Sequence, residues 1–498
     1  MLSVDEIKRF IEDDAASEKK LFAAIGQRYY EANHDIMKCR LFYYNADGNL
    51  VEDTTRANIK ISHPFFTELA DQLPSYLLSF TDNPIRAKET AEGLQDFLDL
   101  YFDEEFWDEA TELITGSYTK GFEYIYGFKN AENRLVFQCA DSMGVVEIRE
   151  SDTDDGCKYI IYWYIDRIDK GKKAVKRIQV WSEAETHYFV QVDNGRILSD
   201  KSVPVNPRPH VVYTDSKTGQ KMGYPLGYIP FWRLDFNRKQ ISGLKPIKAL
   251  IDDYDLMMCG LSNNLTDFDT PLHVVSGFQG DNLDELQTNL KTKKIVGVGE
   301  GGNVEVRTVD IPYQARQTKA DDDEKNIYRF GFGLNTLGLK DTSATTNIAI
   351  KAAYSLLDMK ANRMETRLKK LLKDILKVVL AEINQDNKKD YQLSDIYFDF
   401  ERNIMVNENE NAQTEKIKAE TQQIQVNTIL NVAANLDDET VLRNICDILE
   451  LDYEDIKDKV PKPDEDGFVN ARTALEGVEP EDEKDIEPNP KIDSEGAE

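Results

Sequence analysis

Residues 320–383 read ADDDEKNIYRFGFGLNTLGLKDTSATTNIAIKAAYSLLDMKANRMETRLKKLLKDILKVVLAEI, and the order of chemical types in that stretch decides the architecture. The acidic run Asp321 to Glu324 puts negative charge where a helix N-terminus favours it, so a helix is expected to open there. A short helical pattern continues through Ile327 and Phe330, and Gly331, Gly333 and Gly338 then break it. Lys340 to Thr346 makes a polar loop. Beyond it, Ile350, Tyr354, Leu357, Met364, Leu368, Leu371, Ile375, Val378 and Ile383 recur at helix spacing, with no Gly or Pro from Asn347 to Ile383. At 1.5 Å per residue such a helix reaches roughly 55 Å, longer than an ordinary domain core encloses. The pattern therefore implies a helix that spans a large assembly.

The 498-residue chain has material for about three ordinary domains. Cys39, Cys139, Cys157, Cys259 and Cys446 lie far apart without a C-x-x-C pair, which predicts reduced thiols in a cytoplasmic setting and neither a disulfide framework nor a zinc site. Met1 to Phe10 carries Asp5, Glu6, Lys8 and Arg9 and lacks an apolar signal core, and no apolar run approaches the ~20 residues of a membrane span. A soluble protein without a membrane partner is expected. The net charge of -30 argues against a surface that grips DNA or anionic lipid all over. Asp464 to Glu498 carries about a third of that charge, and its Pro480, Pro488 and Pro490, with Pro463 just before it and few large apolar residues, predict disorder.

Up to about Asp108 the pattern is mainly helical. From Tyr118 to Trp232 it turns to short β-rich runs, Phe122 to Tyr126, Leu135 to Phe137, Tyr159 to Ile165, Arg177 to Trp181 and His187 to Val192, separated by turns such as Asp193-Asn194-Gly195. A helical pattern from Gly243 to about Asn264 precedes a β-containing insert between Asp267 and Thr318, and the short helix after the insert makes the pair a stalk with a cap. Ile396 to Phe400 reads as a lone strand, and helical segments resume at about Ala412 to Ala434 and Glu439 to Leu449.

Chemical motifs are scarce. Gly297-Val298-Gly299-Glu300-Gly301-Gly302 matches G-x-G-x-x-G, but Val304 to Val309 alternates like a strand where a dinucleotide site needs a helix, so a glycine-rich hairpin is expected. There is no G-x-x-x-x-G-K-[ST], no H-E-x-x-H and no G-x-S-x-G. His34, His63, His187, His210 and His273 fall in different segments and read as surface or satisfied core residues. Asp252, Asp253 and Asp255 point to different helix faces and read as a solvated or subunit-contacting surface. Lys291, Lys293 and Lys294, with Arg316 and Lys319 nearby, make a basic patch without the interleaved aromatic residues of a single-strand platform. The chain is expected to have no catalytic centre, no cofactor and no metal.

Four blocks carry a family resemblance. They are Asn58 to Ser62 through Pro64-Phe65-Phe66 to Tyr76-Leu77-Leu78-Ser79 and Asn83-Pro84-Ile85; Gly116 to Tyr124; Tyr228-Ile229-Pro230-Phe231, Asn237, Gly243-Leu244 and Lys248 to Tyr254; and Thr346-Asn347 with Ala352 to Asn362. Over about Asn58 to Asn403 the sequence resembles the portal proteins of tailed bacteriophages, of the long-tailed siphophage type. It departs from them where Ser79 and further residues replace a Tyr-Leu-x-Gly turn before the Asn-Pro-Ile element.

The resemblance implies an α+β, mainly helical portal fold with wing, stem, clip and crown regions. It implies a cyclic homo-oligomer, usually of twelve subunits and of thirteen in some rings expressed alone, around an open channel at one capsid vertex. Carried onto this chain, residues 1–116 are the helical part of the wing, 117–240 the β-rich wing, 241–266 a stem helix, 267–318 the clip and 319–334 a second stem helix. Residues 335–346 are the tunnel loop, 347–385 the long helix above it, 386–403 a strand returning to the wing, 404–460 a helical crown and 461–498 an acidic disordered tail. The implied partners are double-stranded DNA, the terminase large subunit, a head-completion or adaptor protein, and the major capsid and scaffolding proteins. The implied location is the virion, after assembly in the host cytoplasm. Lys340, Thr342, Ser343, Thr345 and Asn347 are expected to line the narrowest part of the channel, with neighbouring glycines letting the loop move. Lys291, Lys293, Lys294 and Arg316 are expected to meet the clip's partner. A non-channel head-tail adaptor or other structural capsid protein is the alternative, and it leaves the two stalk helices flanking a β insert unexplained.

Overall fold

The computed structural model describes residues 2–130, 132–149, 156–169, 173–193, 195–214, 221–267, 272–278, 282, 284, 286, 297–307, 312–335, 347–402, 408–433, 436–449 and 453. It divides into two units, Met1–Val406 and Asn407–Glu498. Helices hold roughly twice as many of the described residues as strands, in a mixed α and β architecture.

The first unit begins with α1 (Val4–Ala15) and α2 (Glu18–Tyr30). Ser3 opens α1 by a reciprocal cap in which its hydroxyl accepts from the Glu6 N–H and the Glu6 carboxylate accepts from the Ser3 N–H at 2.8 Å. A hairpin of β1 (Phe42–Tyr44) and β2 (Leu50–Glu52) follows, then α3 (Phe65–Leu77), β3 (Ile85–Ala87), α4 (Leu94–Tyr101) and α5 (Glu104–Lys120). Helix α5 reaches further than the sequence pattern suggests. Ala110, Leu113, Ile114 and Tyr118 stay buried at helix spacing, and only Gly121, at a left-handed φ of 98°, turns the chain out of it.

The strands form small antiparallel sheets. Strand β4 (Phe122–Lys129) lies between β5 (Leu135–Ala140) and β14 (Phe231–Asp235). A meander of β6 (Val145–Ile148), β7 (Tyr159–Asp169), β8 (Lys173–Trp181) and β9 (Glu185–Val192) carries β10 (Leu198–Ser199) and β11 (Arg208–Pro209) on its last strand. Its inward side buries Val146, Ile161, Ile178, Val180 and Phe189 against Ile7 of α1. Strands β12 (Val211–Thr214) and β13 (Lys221–Tyr224) make a separate pair.

After α6 (Lys248–Asp267) come β15 (Leu272–Phe278), β16 (Val298–Arg307), α7 (Tyr313–Gly331) and α8 (Asn347–Asn387), and β17 (Ile396–Phe398) returns to pair with β3. Helix α8 is 41 residues long and runs through the largest core, where Leu368, Leu372, Ile375, Leu376 and Val379 meet side chains of α3, α4 and α5. The second unit holds α9 (Glu408–Val432) and α10 (Asp438–Leu449), with Asp437 capping α10 through the Thr440 N–H at 3.0 Å. The tail, residues 461–498, lies outside the described residues. Among the described residues, no helix is long and apolar enough to cross a membrane and no cluster of three ligating side chains could hold a metal ion.

Two expectations are corrected. Helix α7 opens at Tyr313, so Asp321 to Glu324 lies within it and not at its start. The run is accommodated by partners one turn away, Gln317 donating to Asp321 at 2.8 Å and Lys319 pairing with Asp323. The glycine-rich stretch is not a hairpin turn either, because Val298 to Arg307 is one strand with a register shift opposite Ser276 and Phe278. Gly277 has a φ of 71°, and a Cβ there would come within 3.1 Å of the Gly302 Cα, so the glycines permit an irregular close pairing.

Gly26 sets the approach of α2 to α5, since a Cβ on it would stand 2.0 Å from the Thr119 carbonyl oxygen and 2.9 Å from the Ser242 hydroxyl. Gly26→Ala is expected to cost about 1–3 kcal/mol. An unchanged thermal midpoint in calorimetry would contradict this packing.

Candidate functional site

Helices α6 and α7 form an antiparallel pair that leads out to the β15–β16 hairpin and back. Asp253 takes Lys319 at 2.6 Å, while Gly260, further along α6, faces Arg316, earlier on α7. Lys319 therefore ties the two helices together. A Cβ at Gly260 would come within 2.8 Å of a guanidinium nitrogen of half-buried Arg316, so that side chain lies across the pair.

The other side of α6 holds an extended segment. The N–H groups of Ala57, Ile59, Ile61 and His63 donate in turn to Asp267 Oδ1 (2.9 Å), Asn263 Oδ1 (2.6 Å), Cys259 Sγ (3.2 Å) and Asp255 Oδ1 (3.0 Å). Two residues of extended chain advance about 6.6 Å and four of a helix about 6.0 Å, so the two repeats stay in step.

Asp255 ends this ladder, fully buried and not on the solvated surface expected for it. His34 Nδ1 lies 2.6 Å from one of its oxygens and His63 Nδ1 2.7 Å from the other. Burial pushes the Asp255 carboxyl up, but the bonds from His34 and His63 outweigh that and leave it below the usual carboxylate range. His34 also stacks on Tyr29 at 4.5 Å, and Tyr29 bonds to Asp252. Lys248 closes the network with Asp35 at 2.6 Å and Asp252 at 2.7 Å. The acids of α6 thus serve three directions: Asp252 the N-terminal segment, Asp253 helix α7, and Asp255 the two histidines.

At its far end α7 stops at Gly331, and Phe332 turns the chain with a φ of 54°. Gln72 of α3 then holds Leu334 twice, accepting from its N–H and donating to its carbonyl, each at 2.9 Å. Gly331 and Gly333 do not loosen the chain here. Cβ atoms on them would come 2.6 and 2.0 Å from Leu69 side-chain carbons, so they let the backbone press onto α3.

Lys360 of α8 reaches the same place. It is buried, and its Nζ donates to the carbonyls of Leu69 at 3.1 Å and Gly331 at 3.4 Å, over the Tyr118 ring at 4.7 Å. Burial pushes the amine down to about 7. Further along, Asp358 accepts from Tyr76 at 2.5 Å, and Arg402 donates to Asn362 at 2.8 Å and pairs with Glu365. Glu382 then takes Tyr101 (2.7 Å), the Leu135 N–H (3.1 Å) and Lys129 (2.5 Å), fixing the other end of α8 to β4 and β5.

Of the residues singled out from sequence, Lys291, Lys293, Lys294, Lys340, Thr342, Ser343 and Thr345 lie outside the described residues. Asn347 is the first residue of α8, and Arg316 lies on α7 against α6. Sequence reasoning missed Asp255 with His34 and His63, Gln72, and Lys360. Lys360 left one signal: it stands three residues after Leu357 and four before Met364, on the apolar stripe of its helix.

A family model for phage portal proteins of the SPP1 Gp6-like type matches residues 12–458. The portal protein of Bacillus phage SPP1 is 24% identical over 344 residues, 69% of this chain and 66% of that relative, so the match spans just under two thirds of its length. The portal protein of Clostridium phage phiCD119 is 24% identical over 435 residues, covering 82% of this chain and 88% of its own. A solved chain titled as the neck of a native GTA particle computed with C12 symmetry overlaps 78% of this chain and 90% of its own, at 11% identity and a TM-score of 0.37, too low to carry an argument.

Asp255→Ala would leave two imidazoles and the His63 N–H without their acceptor, at an expected cost of about 3–5 kcal/mol, read by denaturant unfolding. Because the native carboxyl lies below its unfolded value, its contribution is present above about pH 4 and is lost as pH falls through the lower native value. In Asp255→Asn the acid limb of stability against pH should flatten; an unaltered limb would refute the assignment.

Proposed function

Because the chain belongs to the SPP1 Gp6-like phage portal protein family, we propose that copies of it close into a ring at one vertex of the capsid and form the channel through which double-stranded DNA enters and leaves. The match over residues 12–458 carries this reading, since it takes in the α6–α7 stalk, the hairpin at its tip and the 41-residue helix α8 together. In the ring the stalk is the stem, and the β15–β16 hairpin belongs to the clip that meets the terminase large subunit and later a head-completion protein. Twelve copies is the expected number, the virion the expected location, and the role structural without catalysis.

A conduit must touch DNA without holding it. Each phosphate paired with Lys or Arg adds salt-dependent affinity, and repetition round a ring multiplies it into a brake. A net charge of -30 suits passage. Residues 335–346 enter the channel as a loop, where Lys340 meets phosphate and Thr342, Ser343 and Thr345, with Asn347, offer uncharged hydrogen bonds. Lys291, Lys293 and Lys294 serve contact with the motor or the adaptor, with Arg316 nearer the stem.

Electron microscopy of the purified full chain is expected to show rings with a central opening that admits a DNA duplex. Compact monomers would favour the non-channel adaptor. Replacing residues 335–345 by a short rigid turn should leave rings intact and abolish DNA packaging in a capsid assay; normal filling by that variant would sink the loop assignment.

A further inference from the structure

Lys360 is a buried ammonium donor placed where apolar packing alone would close the core. Its Nζ joins three elements: it donates to Leu69 in α3 and to Gly331 at the end of α7, and it lies over Tyr118 of α5. Tyr118 supports the same carbonyl, its hydroxyl lying 3.4 Å from the Gly331 oxygen. The last carbonyls of a helix lack intrahelical partners and carry the negative end of its dipole, so a cationic donor suits Gly331. No carboxylate is bonded to Lys360 among the described residues. The ionisable side chains that the packed elements carry at this joint are engaged elsewhere. Glu68 of α3 bonds to Tyr328 of α7 at 2.5 Å, Asp358 takes Tyr76, and Arg363 covers the Phe332 ring at 5.7 Å.

A methionine of similar length could fill the site without the burial cost, and replacing buried charge by apolar bulk is often neutral or stabilising. The lysine therefore does something that packing does not. We infer that Lys360 is a positioning residue that locks the end of α7 onto α3 and α8 and so fixes the direction in which the chain leaves Gly331 toward residues 336–346. Phe332, Gly333 and Leu334 are the positions that feel it, because they directly follow the carbonyl that Lys360 holds, with the Phe332 and Gly333 N–H groups donating to the Tyr328 carbonyl and Gln72 clasping Leu334. The inference deepens the channel reading, in which this exit sets the entry of the DNA-facing loop. Its geometry holds whether or not that reading does.

The direction of its pH dependence follows from burial. The amine titrates near 7 in the native protein against 10.5 for an ordinary lysine. Between those values the unfolded chain binds the proton and the native state does not, so the contribution of Lys360 to stability rises with pH across that window. Local locking moves the opposite way, because the neutral amine gives up its charge-assisted bonds to the two carbonyls. A lysine that only filled space would leave protection at 332–334 insensitive to its charge.

The test is amide hydrogen exchange on the purified full chain, wild type against Lys360→Met. At about pH 7 the amides of Phe332, Gly333 and Leu334 are expected to exchange about tenfold faster in the variant, while those of Ile375 to Ile383 keep their protection. In the wild type, after correction for intrinsic rates, protection at 332–334 should fall from pH 6 to pH 9 relative to that of Ile375 to Ile383. Unchanged exchange at 332–334, or uniform acceleration along α8, would overturn the inference. If Lys360→Met does not fold, the wild-type pH series decides alone, and protection at 332–334 that does not fall relative to that of Ile375 to Ile383 is then the refuting result. Packaging by Lys360→Met capsids is scored separately: rapid exchange at 332–334 with normal filling would keep the lock and reject the channel role of the loop.

Discussion

The support of α6 rests on a match of two repeats. An extended chain that moves two residues covers nearly the distance of a helix that moves four, so alternate N–H groups from Ala57 to His63 find one α6 side chain per turn. The ladder ends at Asp255, where a buried carboxylate also takes His34 and His63. A long helix projecting from a body needs lateral support that its own hydrogen bonds cannot supply. Here the support comes from residues roughly two hundred positions earlier in the chain, which makes the N-terminal segments part of the stalk.

The far end of the stalk follows the same logic with different chemistry. Gln72 clasps the Leu334 backbone, and Leu69 fills the space that the missing side chains of Gly331 and Gly333 leave open. The glycines act by closeness of approach, and the only left-handed turn in this joint falls on Phe332. Helix α8 is then bound along its length by Lys360, by Arg402 across Asn362 and Glu365, and by Glu382 on the β4–β5 pair.

What was legible in the sequence was periodic. The alternation of β7 to β9 and the helix spacing of α8 are local signals, repeated often enough to outweigh noise. The start of α7 was not legible, because an acidic run reads the same at a helix N-terminus as inside a helix with Gln317, Lys319 and Lys325 within one turn. Nor were the contacts of Asp255, since no local pattern links it to His34 and His63. Lys360 was legible only as a charged residue on an apolar stripe, and snorkelling of a lysine stem is the ordinary reading of such a position. Its real partners are backbone carbonyls, which have no sequence signature.

Helix α8 has a mechanical consequence. Thirteen residues separate Lys360 from Asn347, a rigid arm of about 20 Å. That arm is held along its side, because Ile350, Tyr354 and Leu357 are buried in the largest core and Asp358 takes Tyr76, while Glu382 holds the distal half. The helix therefore acts as a splint: a load applied near Asn347 passes through packed side chains to α3, to the Leu69 and Gly331 carbonyls, and on to the β4–β5 pair.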